Sequence, residues 1–165
     1  MNLAKRGVWP VMLTPFTEDG EVDYPALKEL VAWYEAAGVT GLFAVCQSSE
    51  MFCLSLRERT EVAAFVKKHA HVPVIASGHV SDSTQEQVDE LRRMADTGVD
   101  AVIMITNRMA REGEGAQKWI SGMEKLLAAL PEELPWACTN APIPSNGCLA
   151  SRNWRSAPIR GDSIS

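Results

Sequence analysis

Short apolar runs alternate along the chain with longer stretches in which apolar residues recur every three or four positions, and the cycle repeats about every 30 residues, the size of one strand-helix unit. GVWPVMLT at 7–14 predicts a first strand, and Glu18, Asp19 and Gly20 a turn after it. Asp23 then predicts a helix cap, with Pro25 in the first turn, Leu27, Leu30, Val31 and Tyr34 on one face, and Gly38 as the stop. GLFAV at 41–45 predicts the second strand. Ser55 and Glu58 have the spacing of a capping box for a helix that turns Val62, Phe65 and Val66 inward. VPVIAS at 72–77 predicts the third strand, and Ser83 with Glu86 a second capping box ahead of Val88, Leu91 and Met94, closed by Gly98. AVIMI at 101–105 predicts the fourth strand, followed by a helix over 112–130 with Trp119, Met123, Leu126 and Leu127 at helical spacing. AGVTGLFAV at 37–45 and TGVDAVIMI at 97–105 share one pattern, an internal repeat.

Strands that are apolar throughout need cover on both faces, which points to an α/β fold with a parallel sheet and helices outside. A doubly wound five-stranded sheet fits the length, whereas an eight-fold (βα) barrel needs about 250 residues and would be cut roughly in half. The last stretch fits neither, because residues 136–165 hold three Pro, five Ser and three Asn with no apolar period. The expected organisation is one unit over 1–135 and a poorly ordered tail over 136–165.

Composition narrows the function classes. The 165 residues are 46% hydrophobic and 22% charged, enough apolar material for one core. A net charge of -5 without a run of Lys or Arg longer than a pair gives no electrostatic footprint for nucleic acid or an anionic membrane, so neither partner is expected. The opening apolar run is short and broken by Pro10, unlike an export signal. The cysteines at 46, 53, 138 and 148 lack C-x-x-C pairing and zinc-like His spacing, which argues against disulfides and metal and for reduced thiols in the cytoplasm.

Several ordered motifs carry a family resemblance: T-P-F at Thr14 to Phe16, the D-G turn, the A-G-V-x-G-L helix stop, and a glutamate-ended loop followed by L-S-L-x-E-R. VPVIASGHVSDSTQEQ continues it with one extra residue before the S-D-S-T cap. From about residue 7 to 135 the chain resembles the dihydrodipicolinate synthase and N-acetylneuraminate lyase family of Schiff-base aldolases. The resemblance implies an eight-fold (βα) TIM barrel, here its first four to five units, and a 2-keto acid such as pyruvate as the small-molecule partner. It implies no cofactor, and a homo-oligomer for the full-length family.

In that family a lysine on the sixth strand forms an imine with the keto acid, whose protonated nitrogen acts as the electron sink. The last lysine here is Lys125, read as a solvated helix residue, and no tyrosine follows Tyr34 where the family has an L-Y-N-x-P relay motif. The catalytic lysine and relay tyrosine are therefore expected to be absent, and the chain by itself inactive. A codon choice for 136–148 exists that, read one base out of register, gives GLYECPYPLKRL, whose L-Y-E-C-P matches the missing motif. The expectation is a base gained or lost near codons 134–136.

CQSSE at 46–50 stands where the family reads G-T-T-G-E and holds the keto acid's carboxylate with backbone amides and a hydroxyl. On that match Gln47 and Ser48 are the expected substrate-binding residues. Ser48 retains a hydroxyl, whereas Gln47 cannot replace a threonine in a proton relay. Without a His placed to activate it, Cys46 is read as packing. T-N-R-M at Thr106 to Met109 replaces the family's T-P-Y-Y, so Arg108 is either a bidentate carboxylate ligand or a solvated loop residue. His69, His71 and His79 are assigned to loop and helix ends.

Two readings result: the N-terminal half of a pyruvate-type aldolase or lyase, or a non-catalytic half-barrel that assembles with another half. The open, apolar sheet edges predict self-association or aggregation of the fragment.

Overall fold

The computed structural model describes residues 7–110, 113–130 and 135–139. Its elements are α1 (Tyr24–Ala36), β1 (Leu42–Phe43), α2 (Leu56–His69), β2 (Val74–Ala76), α3 (Thr84–Ala95), β3 (Ala101–Ile105), α4 (Gly115–Ala129) and β4 (Trp136–Thr139). The four strands lie side by side in chain order, all parallel. Successive parallel neighbours, each joined through a helix, place every strand's C-terminal end on one edge.

Residues 7–14, expected to be a strand, make only one bridge, between Val11 and Phe43. They still run along β1, with Thr40 N–H donating to Val8 O at 2.8 Å, Phe43 N–H to Pro10 O at 3.0 Å and Met12 N–H to Phe43 O at 2.9 Å. Pro10 has no N–H to give, which limits regular pairing to this broken ladder.

The helix starts follow the local chemistry. Asp23 accepts from Ala26 N–H at 3.0 Å, and Ser55 and Glu58 form the reciprocal capping box. Ser83 accepts from Glu86 N–H, half of the box expected there. The fourth helix begins at Gly115, inside the expected span, whereas Glu112 lies outside the described residues. The repeated joins match in backbone as well as in sequence: Gly38 and Gly98 take φ of 79° and 82°, the left-handed stop that favours glycine. Asp100 adds a clamp, accepting from Val74 N–H at 2.7 Å and from Lys67 at 2.6 Å.

The expected boundary at residue 135 falls inside the sheet. Trp136–Thr139, at the start of the expected tail, pairs with Val102 to Ile105 of β3. Four residues are too few for an apolar period to declare itself, and the neighbouring strand supplies the hydrogen bonds that select the extended form. The rest of the expected tail lies outside the described residues.

Two apolar layers flank the sheet. Leu27, Val31, Val62, Val66, Leu91, Met94, Met123 and Leu126 pack between helices and strands, and Phe43, Ile75, Ala101, Ile103 and Ala137 form the layer on the other face. Each fully buried side chain of this size contributes roughly 1.5–3 kcal/mol, against about 1 kcal/mol for a helix cap, so caps set boundaries while the layers hold the fold.

Candidate active site

The loops at the C-terminal edge of the sheet come together as one rim. The first is the 3-10 turn Gln47–Ser49, which begins four residues beyond Phe43. Ser49 is fully buried: its hydroxyl donates to Met12 O at 2.6 Å and accepts from Cys46 N–H at 3.2 Å. Thr14 Oγ1 donates to Ser49 O at 2.8 Å, so the T-P-F segment holds this turn from behind. Glu50 closes it at φ 58°, a left-handed conformation for a residue with a side chain, held by the surrounding bonds. With Ser49 committed inward, Gln47 is left half-buried and Ser48 exposed. Their N–H groups open the turn and have no acceptor within it, which suits a carboxylate.

The second loop follows β2. Ser77 N–H donates to Val45 O at 2.7 Å, continuing the ladder, while the Ser77 hydroxyl is fully buried and has no hydrogen-bond partner. His79, assigned to a loop, lies in this one and is completely buried. Its Nε2 accepts from Ile105 N–H at 2.6 Å, which leaves the proton on Nδ1 to donate to Gln87 Oε1 at 3.1 Å. Burial, opposed by the Gln87 bond, lowers its pKa to about 4, so the ring is neutral near pH 7. Gln87 Nε2 donates onward to Arg108 O at 3.2 Å, so one neutral relay ties the second loop to the third.

The third loop is the turn Thr106–Arg108. Thr106 Oγ1 donates to Thr139 O at 3.1 Å, and Trp119 Nε1 donates to Thr106 O at 2.9 Å, fixing β3, β4 and α4 at this end. Arg108 reaches Asp82 at 3.2 Å and lies 4.8 Å over the Phe52 ring. Its side chain is 29% exposed, partly solvated within this exposed pair. A cleft of about 270 Å³ runs between α3 and α4, lined in part by Asp82, Arg108, Lys118 and Lys125. Neither Gln47 nor Ser48 borders it.

The remaining histidines stand at helix ends, His69 Nδ1 against Phe65 O at 2.8 Å and His71 against Glu35 at 3.0 Å. Cys46, Cys53 and Cys138 are free thiols, and burial pushes Cys138 up to about 12, which keeps it protonated. No sequence signal marked the buried roles of Ser49, Ser77 and His79, since polar residues in a strand-end loop read as exposed whichever way they point.

A sequence model of the dihydrodipicolinate synthetase family matches residues 4–113. The 4-hydroxy-tetrahydrodipicolinate synthase of Haloarcula marismortui is 41% identical over 101 residues, which are 61% of this chain and 33% of that protein. The chain therefore spans about a third of the length of that curated relative. The chloride-inhibited dihydrodipicolinate synthase of Acinetobacter baumannii, solved with pyruvate, superposes with TM-score 0.71 at 28% identity over 80% of this chain and 45% of that one. The N-acetylneuraminate lyase of Mycoplasma synoviae shares the fold at TM-score 0.70 and 22% identity, covering 90% of this chain and 51% of the other. A parallel four-stranded sheet with its helices is the opening portion of such a (βα)8 TIM barrel, and with the family sequence matched over two thirds of its length this chain belongs to the dihydrodipicolinate synthetase family.

Proposed function

We propose that the chain is the N-terminal half of a pyruvate-dependent or related 2-keto-acid aldolase or lyase. Its part in the reaction is to hold the keto acid's carboxylate at Gln47 and Ser48. The chemical step requires a lysine amine to condense with the keto carbonyl, releasing water and leaving an imine whose protonated nitrogen accepts the electron pair of the bond broken, C–C in cleavage or C–H ahead of addition, the resulting enamine then giving that pair to the new carbon bond. That lysine and the relay tyrosine belong to the later strands of the barrel, so these 165 residues alone bind the keto acid without forming the imine. The activity is cytoplasmic and cofactor-free on this reading.

The observation that supports it most is the Gln47–Ser49 turn, which commits Ser49 inward and leaves two N–H groups, one amide and one hydroxyl at the strand ends where barrel enzymes bind substrate. Borohydride reduction in the presence of pyruvate tests the division of labour. Mass spectrometry should find no covalent adduct on this chain, and one on the same residues fused to a complete lyase second half. An adduct on the 165-residue chain would overturn the assignment of the lysine to the missing strands.

A second reading has an observation of its own. Val8 and Leu13, on the segment flanking β1, are 66% and 60% exposed, an apolar edge that favours a half-barrel module assembling with another half. Self-association in sedimentation, without pyruvate binding, would select it.

A further inference from the structure

We propose that Ser77 is a further substrate-binding residue, whose hydroxyl donates a hydrogen bond to the keto-acid carboxylate held at Gln47 and Ser48. This rests on the keto-acid reading above and deepens it.

Ser77 has no exposed surface, and its Oγ meets no hydrogen-bonding group of the protein. Buried hydroxyls are nearly always satisfied, because an unmet one loses its water without replacement. The surroundings explain why the protein offers no partner. Side chains alternate across a strand, so Ser77 shares the face of Ile75, which packs with Phe43, Cys46, Ile103 and Ala137. Those residues of the layer offer no side-chain oxygen or nitrogen to the hydroxyl.

Ser77 N–H is bonded to Val45 O, and Gly78 follows at φ 110°, so close to Met94 that a Cβ there would meet Met94 Cε at 2.4 Å. The Val45 bond holds the Ser77 backbone to the neighbouring strand, and strand alternation puts its side chain on the Ile75 face. The Val45 bond places Ser77 across from the strand end that leads, two residues later, into Gln47. A carboxylate seated on the N–H groups of that turn has lone pairs left for a third donor, and a carboxylate is the acceptor that gains most from a short hydroxyl bond.

Titration of the 165-residue chain with pyruvate, followed by ligand-observed NMR, and thermal unfolding of the same samples test this. Ser77→Ala should weaken pyruvate affinity about ten- to a hundredfold, the loss expected for one charge-assisted bond. The ligand-free Tm should hold or rise, because the change deletes an unsatisfied buried hydroxyl. Ser77→Cys, with a weaker donor of similar size, should fall between. Unchanged affinity in Ser77→Ala, with the wild type binding, would overturn the role of Ser77 alone. A lower Tm in that variant with affinity intact would make it a structural residue and overturn it equally. Absence of binding by the wild type would overturn the keto-acid reading and this inference with it.

Discussion

Arg59 and Glu90 form a buried ion pair at 2.9 Å, with side chains 4% and 7% exposed, and so join α2 to α3 beneath the second rim loop. The two partners are unequal. Glu90 also accepts from Val80 N–H at 2.9 Å, Ser81 N–H at 3.2 Å and Ser81 Oγ at 3.1 Å, whereas Arg59 has only Leu54 O besides, at 2.6 Å, and its Nε is unsatisfied. Burial lowers Arg59 from its usual range although Glu90 raises it. Removing Glu90 therefore strands a buried cation and three loop donors, while removing Arg59 leaves Glu90 well bonded. Glu90→Ala should cost about 3–5 kcal/mol and Arg59→Met clearly less, read from urea midpoints. Equal losses would show that the loop bonds carry no weight.

His79 makes stability depend on pH in a definite window. Its folded pKa of about 4 lies below the ordinary value of 6.5, so from 6.5 downward the unfolded chain takes up a proton that the folded chain refuses. Stability should be full above pH 6.5, fall by at most about 3 kcal/mol as pH drops to 4, and level off below. His79→Leu should flatten this segment and cost roughly 1–3 kcal/mol at pH 7, because Ile105 N–H loses its acceptor. An unaltered pH profile in the variant would refute the assignment.

Glu35 acts lower on the scale. Burial tends to raise its pKa, but bonds from the His71 ring and from the N–H groups of His71 and Val72 outweigh it and hold the carboxyl below its usual value. A lowered acid contributes stability above its unfolded pKa of about 4.3 and loses it as pH falls through the folded value. Glu35→Gln should therefore be less stable than wild type at pH 7, and the gap should narrow at pH 3. A gap constant with pH would rule out the charge as its source.

Gly122 sits on α4 where a Cβ would stand 2.7 Å from Met109 O, a backbone atom without a rotamer to relax. Gly122→Ala should lose about 1–3 kcal/mol by overpacking, although alanine is the better helix former by about 1 kcal/mol. A rise in the thermal midpoint would mean that α4 shifts freely and does not anchor the Thr106–Arg108 loop.

The order of strands and helices was legible in the sequence because each signal is local. Asp23, Ser55 and Ser83 meet the N–H groups three residues on, Gly38 and Gly98 take a φ that other residues resist, and apolar spacing reports the helix faces. The family, too, was written in short motifs that survive without the tertiary fold. The tertiary structure alone decided that residues 7–14 run along β1 as a broken ladder and that Trp136–Thr139 join the sheet, since both depend on donors offered by a distant strand. It also decided that Ser49 turns inward and Ser48 outward, and that His79 is buried, because nothing within a few residues distinguishes a polar side chain bound to Met12 or Ile105 from one bound to water. Local hydrogen bonds and steric limits are set by neighbours in the chain, whereas burial and the partners of polar groups are set by what the fold brings from 26 to 37 residues away.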